Sequence, residues 1–169
     1  MELLIPGLII VGIMVWASTR IKRTAAAAFD AETIDTDEFT LEKSDGWLSK
    51  VEPSDELLFE AYTKDFGPSP YENIRLGTAD IRVVDGSLDE ATTTATGEAV
   101  TNEDLREVID GIHYRLLDLE RDGEIAYRER VKLGEKNGRV YTLTIKTLTD
   151  TTDEFRRGIE RMIDSFVIK

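Results

Sequence analysis

Cysteine is absent from the 169 residues, and His113 is the single histidine. Disulfide frameworks, thiolate zinc sites, iron–sulfur clusters and cysteine nucleophiles are thereby excluded. Positive charge is in deficit: 21 Lys and Arg stand against 34 Asp and Glu, a formal net charge of -13. Phosphate binding needs a basic surface that releases counterions, so no nucleic-acid partner is expected. Phosphate-cradling loops are missing too, with neither GxxxxGK(S/T) nor GxGxxG in the chain. None of the few serines lies in a Gly-x-Ser-x-Gly turn. What the chain does have is 41% hydrophobic residues, enough to fold rather than remain disordered.

Uninterrupted apolar sequence occurs in one place, the fifteen residues LLIPGLIIVGIMVWA from Leu3 to Ala17. At ~1.5 Å per residue this run covers about 22 Å, short of a ~30 Å hydrocarbon core. Ser18 and Thr19 extend it, and Arg20, Lys22 and Arg23 can snorkel from the far end. Trp16 falls where an interfacial aromatic belongs, and Pro6 in the first turn costs little. The expectation is a single transmembrane helix over residues 3–19, with Leu3, Ile9, Val15 and Trp16 against lipid. A cleaved signal peptide would carry cations before the run, but Glu2 stands there. A buried core helix fits poorly with a basic flank at the extreme N-terminus. Gly7 and Gly12 are five apart, so the anchor carries no strong homodimer signal.

Charge also sets the expected orientation. The cations near the span all lie on its C-terminal side, which places the rest of the chain in the cytoplasm, or outside it should the positive-inside rule fail. Setting aside Arg20, Lys22, Arg23 and Glu2 leaves 18 basic and 33 acidic groups in residues 24–169, a net of -15. Anionic lipid repels such a domain while the basic flank holds to the headgroups. The expected organisation is an anchor with its flank (1–23), a helical neck (24–33) and a soluble domain (34–169).

Within the domain, Ile34–Lys43 alternates like a half-wet strand, with Phe39 and Leu41 on one face. Ser44-Asp45-Gly46 signals a turn, and Trp47 follows it. Strands are expected over 56–66 and 73–84, separated by Gly67-Pro68-Ser69-Pro70. Apolar parity changes at Gly77, which suggests a β-bulge. Residues 85–97 are threonine-rich and predict a mobile loop. Over 101–119, Leu105, Val108, Ile109, Ile112, Leu116 and Leu119 recur at three- and four-residue steps, predicting a helix that Thr101 and Asp104 would cap. Glu124–Leu133 and Arg139–Leu148 predict strands of a hairpin around Asn137-Gly138. A last helix is expected over 151–166, capped by Thr151 and Glu154, with Phe155, Ile159, Met162, Ile163 and Phe166 as its buried stripe. The fold class is therefore α+β: a transmembrane helix, then an antiparallel meander of about five strands flanked by helices.

The strand Phe39–Lys43 running into Ser44-Asp45-Gly46-Trp47, the hairpin 124–148 and the ending Asp164-Ser165-Phe166 give the domain a resemblance to the Mog1/PsbP-like family over about residues 35–169. The resemblance implies a central antiparallel sheet flanked by helices. It also implies a non-catalytic role, as assembly or accessory factors of membrane complexes or cofactors of small GTPase cycling, and it carries over no catalytic residue. Photosystem members work on the lumenal side, which the expected cytoplasmic domain does not match.

Chemistry is sparse. His113 lacks further ligands for zinc and a positioned serine for a triad, and reads as a half-buried helical side chain. Acidic clusters at Asp35/Asp37/Glu38, Asp85/Asp89/Glu90, Glu103/Asp104 and Asp150/Asp153/Glu154 lack EF-hand spacing, and no metal or cofactor is expected. Trp47 reads as a core plug rather than a partner anchor. Arg156, Arg157 and Arg161 form the one basic face on an acidic domain and are the candidate partner surface. No enzyme is expected. The reading is a membrane-anchored interaction or accessory module with an unidentified membrane-associated protein partner. A binding domain for a small apolar or lipid ligand, held between the sheet and the 101–119 helix, is the alternative, and an unrecognised hydrolase a second.

Overall fold

A computed structural model describes residues 14, 16, 18, 20, 27–148 and 151–169. Within residues 27–148 and 151–169 lie ten strands, β1 Glu32–Asp35, β2 Phe39–Lys43, β3 Trp47–Ser49, β4 Leu57–Thr63, β5 Gly77–Asp85, β6 Val100–Ile109, β7 Ile112–Arg121, β8 Tyr127–Lys136, β9 Arg139–Leu148 and β10 Val167–Ile168, and the helices α1 Leu88–Thr96 and α2 Asp153–Ser165. Seven strands form one antiparallel sheet in the order β3-β4-β5-β9-β8-β7-β6, and β1-β2-β10 form a small second sheet. The architecture is α+β, as expected, with twice the anticipated number of strands.

The large sheet is apolar on both faces in its middle. Ala79 and Ile81 of β5, Leu143 and Ile145 of β9 and Tyr114 of β7 face inward and are buried under α2, β2 and β10. The expected stripe of α2 supplies Ile159, Met162 and Ile163 to this core, with Phe155 packed at its margin. Its N-cap is Thr152 rather than Thr151: the Thr152 hydroxyl accepts from the Phe155 N–H at 3.3 Å. On the opposite, outer face, Leu117, Leu119, Val131, Leu133 and Val140 form a smaller cluster under α1.

Trp47 is the core plug that its position after a turn suggested. It is 1% exposed and stacks on Phe155 of α2 with ring centroids 5.7 Å apart and planes 3° from parallel. Lys43 is buried beside it, its ammonium donating to the carbonyls of Trp47 at 2.8 Å and Ala28 at 3.1 Å. On β8, the Tyr114 ring lies over Gly134, the residue opposite it in register, where a Cβ would come within 2.6 Å of the ring. The Tyr114 hydroxyl accepts from the Ile168 N–H at 2.9 Å, so the chain's last strand is tied to the sheet through one phenol.

Several expectations are corrected. Residues 101–119 are no helix but the hairpin β6–β7, turning at Asp110-Gly111 with φ of 51° and 78°. Two faces of β7 are buried, Tyr114 and Leu116 inward and Leu117 and Leu119 outward, and this double burial imitates helical periodicity. The supposed loop 85–97 is α1, with Ser87 and Glu90 as a capping box. Its threonines return their hydroxyls to the backbone: Thr92, Thr93, Thr94 and Thr96 each donate to a carbonyl four residues earlier at 2.7–3.0 Å. Ile34–Lys43 is two strands paired antiparallel, Ile34 opposite Leu41. No bulge lies at Gly77, which opens β5 beneath Trp47; the ladder shifts instead between Leu57 and Phe59 and between Thr101 and Glu103. The hairpin at Asn137-Gly138 stands where its signal placed it, both residues at positive φ.

Met14, Trp16, Ser18 and Arg20 are helical, and Trp16 and Arg20 make a cation–π contact at 5.4 Å. The rest of the expected anchor and its flank, including Leu3, Ile9, Val15, Lys22 and Arg23, lies outside the described residues. Among the described residues no helix is long and apolar enough to cross a membrane. Of the expected neck, Ala27 ends a helical turn and the chain bends over Ala28–Asp30 into β1. The Phe29 carbonyl already accepts from Gly46 at 2.8 Å.

Replacing Trp47 with alanine removes the plug and its stack together. Such a truncation should cost about 3–5 kcal/mol, read as a lowered midpoint in denaturant unfolding followed by far-ultraviolet circular dichroism. A midpoint unmoved by Trp47→Ala would show that the ring carries no core load.

Candidate functional site

The outer face of the large sheet is covered only over β7 and β8. Leu88, Ala91 and Ala95 of α1 are small enough to sit close on Val131 and Leu133, and the Leu88 N–H donates to Glu135 of β8 at 2.9 Å. Beyond the helix the face is polar, because alternate residues of β5 and β9 are Asp80, Arg82, Thr142, Thr144 and Lys146. A cleft of about 510 Å³ opens along this boundary, with those residues as its floor and Glu90 and Thr94 of α1 as its wall.

One end of the cleft is braced by charge. Arg121 donates through Nε to Glu129 at 2.7 Å and through Nη2 to the Ala95 carbonyl at 2.6 Å, joining the last turn of α1 to the sheet. Lys146 reaches the other Glu129 oxygen at 3.2 Å. The side chains of Asp80 and Arg82 on the floor make neither a hydrogen bond nor an ion pair. Burial pushes the Asp80 carboxyl above the ordinary carboxylate range, against the pull of the nearby Arg82 and Lys146 charges. The cleft thus offers a carboxylate and a guanidinium without partners, suited to holding a small polar group. It holds no nucleophile–base pair: the Ser87 hydroxyl is occupied as a helix cap, and His113 is an exposed residue of β7 outside the cleft, not the half-buried helical side chain anticipated.

A second charged cluster lies on the inner face near the open end of β7 and β8. Asp118, 1% exposed, sits opposite Arg130 in register. Arg128 grips it with Nε at 2.9 Å and Nη2 at 2.5 Å, and Arg130 adds Nη1 at 2.6 Å. Burial alone would raise its pKa, but the Arg128 hydrogen bonds and the two guanidinium charges outweigh that and hold the carboxyl below its usual range. This pairing is architectural and joins β7 to β8 beside α2.

The three arginines expected as a partner surface all lie on α2. All are exposed. Arg156 pairs with Asp153 at 3.2 Å and lines a small cleft with Arg128, Arg130 and Glu103. Arg161 faces a different cleft beside Glu32, Glu42 and Asp45. Arg157 lies one residue beyond Arg156 and four before Arg161, so the helix puts Arg157 and Arg161 on one face and turns Arg156 about 100° from Arg157. The acidic clusters are dispersed among cations: Asp35 on Lys169 at 2.5 Å, Glu38 on Arg139 at 2.9 Å, Asp104 on Arg115 at 2.6 Å. Among the described residues no group of His, Asp and Glu has the arrangement to hold a metal ion. Asp80 and Arg82 were legible only as the wet side of a strand, and Arg121 and Glu129 gave no sequence signal at all.

The two carboxylates have opposite linkage. Asp118, with its pKa lowered by folding, stabilises the protein above the ordinary value of 3.8, and that contribution is lost as pH falls through the lowered one. Asp80, with its pKa raised, costs stability once pH rises through its folded value. At pH 7 Asp118→Asn should therefore destabilise by about 1.5–3 kcal/mol, and Asp80→Asn should stabilise by on the order of 1 kcal/mol. Both differences should shrink as denaturant titrations are taken below about pH 4. Equal signs for the two variants would contradict this assignment.

No protein-family model matches the sequence, and no curated protein does. Solved structures do match. Cyanobacterial PsbP (CyanoP) from Synechocystis sp. PCC 6803 superposes with a TM-score of 0.59 at 11% identity, covering 83% of this chain and 94% of that one. A Pseudomonas aeruginosa protein of unknown function gives 0.55 at 14% identity over 82% and 97%. The Ran-binding protein Mog1p of Saccharomyces cerevisiae gives 0.52 at 9% identity over 83% and 96%. At these identities the likeness is one of architecture, and the chain has the PsbP/Mog1-like α+β fold.

Proposed function

We propose that the chain is a non-catalytic interaction or accessory module of a membrane-associated complex, tethered through residues 3–19 with its domain on the cytoplasmic side. The observation that carries this reading is the filled interface between the large sheet and α2, where Ile81, Leu143, Ile145, Met162 and Phe166 are fully buried. A small apolar ligand would need a pocket of several hundred Å³ in such an interface. The helix that was to roof that pocket is the hairpin β6–β7, and the open cleft lies on the other face with mixed charges on its floor. A hydrolase would need a nucleophile or an acid–base pair free to act on one substrate atom, whereas in the cleft the Ser87 hydroxyl caps α1 and Glu129 is held by Arg121 and Lys146.

Two further points support the reading. Mog1p, which shares the architecture, is a Ran-binding protein, so this fold can serve a protein partner. Met14 and Trp16 are 66% and 63% exposed, apolar side chains left uncovered as a membrane tether requires. The net charge of -15 over residues 24–169 keeps the domain off anionic lipid and free to meet a partner, and the tether raises its local concentration near membrane proteins.

The absence of native cysteine makes topology directly testable. With single cysteines at Glu2 and at Asp122, an exposed residue between β7 and β8, an impermeant thiol reagent should label position 2 in intact cells and position 122 only after permeabilisation. The chain should pellet with membranes and resist carbonate extraction. Labelling of position 122 in intact cells would overturn the orientation, and release by carbonate would overturn the tether. A photoreactive residue at Arg161 should then yield a discrete protein adduct from intact membranes; an adduct to lipid alone would speak against a partner on that face.

A further inference from the structure

The sheets end on very unequal edges. β3 closes one side of the large sheet with three residues, while β6 closes the other with ten. In the small sheet the edges β1 and β10 are four and two residues long. A short edge denies a foreign strand its template, and a long regular one offers it.

The register of β6 on β7 determines which of its backbone groups are free. Asp110 and Gly111 form a two-residue turn with both φ positive, and Ile109 faces Ile112 across it. The pair flanking such a turn exchanges both N–H···O bonds, and bonded and non-bonded pairs alternate from there. Val108, Arg106 and Asp104 therefore direct their N–H and C=O groups away from β7. Among the described residues no strand pairs with them. The ladder's irregularity falls between Thr101 and Glu103, so the stretch from Glu103 to Ile109 is regular.

Charged side chains commonly guard such an edge, but here they are drawn back across the sheet. Glu103 pairs with Arg130 at 3.4 Å, Asp104 with Arg115 at 2.6 Å and Glu107 with Lys132 at 3.0 Å. Leu105 and Val108, on opposite faces of β6, are left 55% and 60% exposed. Of the five carboxylates of residues 98–111, Glu98 and Asp110 make no ion pair, and Arg106 is the one cation of the segment.

Resting on the reading of the chain as an interaction module, we propose that β6 accepts an extended, basic segment of another protein as an eighth strand of the large sheet. Backbone bonds to Asp104, Arg106 and Val108 give the affinity, aliphatic residues of the incoming strand cover Leu105 and Val108, and its cations answer the carboxylates of the edge. A second copy of this chain is disfavoured as the occupant, because pairing β6 with itself sets two chains of net charge -13 against each other.

Residue-resolved hydrogen exchange on the full-length chain in non-ionic detergent tests this. The probe is the blocked peptide Lys-Val-Lys-Val-Lys-Val-Lys, with a fully N-methylated analogue and a Glu-for-Lys analogue as controls. The Asp104, Arg106 and Val108 amides should exchange at least about tenfold slower with the probe. Neither control should slow them, and the effect should fade from about 50 to about 500 mM salt. Unchanged amides, or equal protection by all three peptides, would overturn the proposal. So would protection in the free chain that grows with its concentration, which would make the occupant a second copy. Protection confined to another surface would overturn the edge while leaving the interaction module standing.

Discussion

The inner face of the large sheet is a continuous apolar surface that the strands cannot shield from water by themselves. Ala79, Ile81, Leu143, Ile145 and Tyr114 all point to it, and the segment that covers it comes last in the chain. α2 lays Ile159, Met162 and Ile163 on this face, and β10 then returns to pair with β2, Ile168 opposite Phe39. Apart from β5 on β9, the sheet's strands pair with their neighbours in sequence, but α2 and β10 arrive only after β9. Burial of this inner face by α2 is thus the condition on which Trp47, the small sheet and the C-terminal strand all depend.

Polar atoms make that closure specific. Lys132 is buried under α2, where its ammonium donates to the Ile163 carbonyl at 3.1 Å, pairs with Glu107 at 3.0 Å and lies 5.0 Å from the Tyr114 ring. Ser44 donates to the Gly158 carbonyl at 2.6 Å, and the Glu42 N–H donates to Ser165 at 2.9 Å. A purely apolar contact would tolerate α2 in several registers; these directional bonds to its backbone and to Ser165 select one.

How far this could be read in advance depended on how many faces an element buries. α2 buries one stripe, so its period and its buried residues were legible in the sequence. The β8–β9 hairpin carried Asn137-Gly138, and its strands followed. β7 buries both faces, and alternation disappears from such a strand; Ile109, Ile112, Leu116 and Leu119 then fall by chance on a helical period that runs across the Asp110-Gly111 turn. α1 failed in the other direction. Its four threonines have low helix propensity, yet Ala91 and Ala95 pack on the outer cluster, and packing decides. Of the candidate site, Arg156, Arg157 and Arg161 were visible as charge, but that Arg156 and Arg161 line different clefts was not. The Asp80–Arg82 floor exists only because β5 and β9 bring distant residues side by side.

The two faces of the sheet divide the labour. The inner face, filled and closed, supplies stability; the outer face, half-covered by α1 and ending in the long edge β6, supplies the surfaces on which a partner can act. This division rests on α2 being the indispensable cover, and unfolding of a chain shortened at Leu148 measures that most directly. Without α2 and β10 the full chain's cooperative thermal transition should vanish, and the shortened chain should bind a hydrophobic dye through its uncovered face. A shortened chain that melts cooperatively near the full chain's midpoint would contradict the claim, because the sheet would then be stable with its inner face open to water.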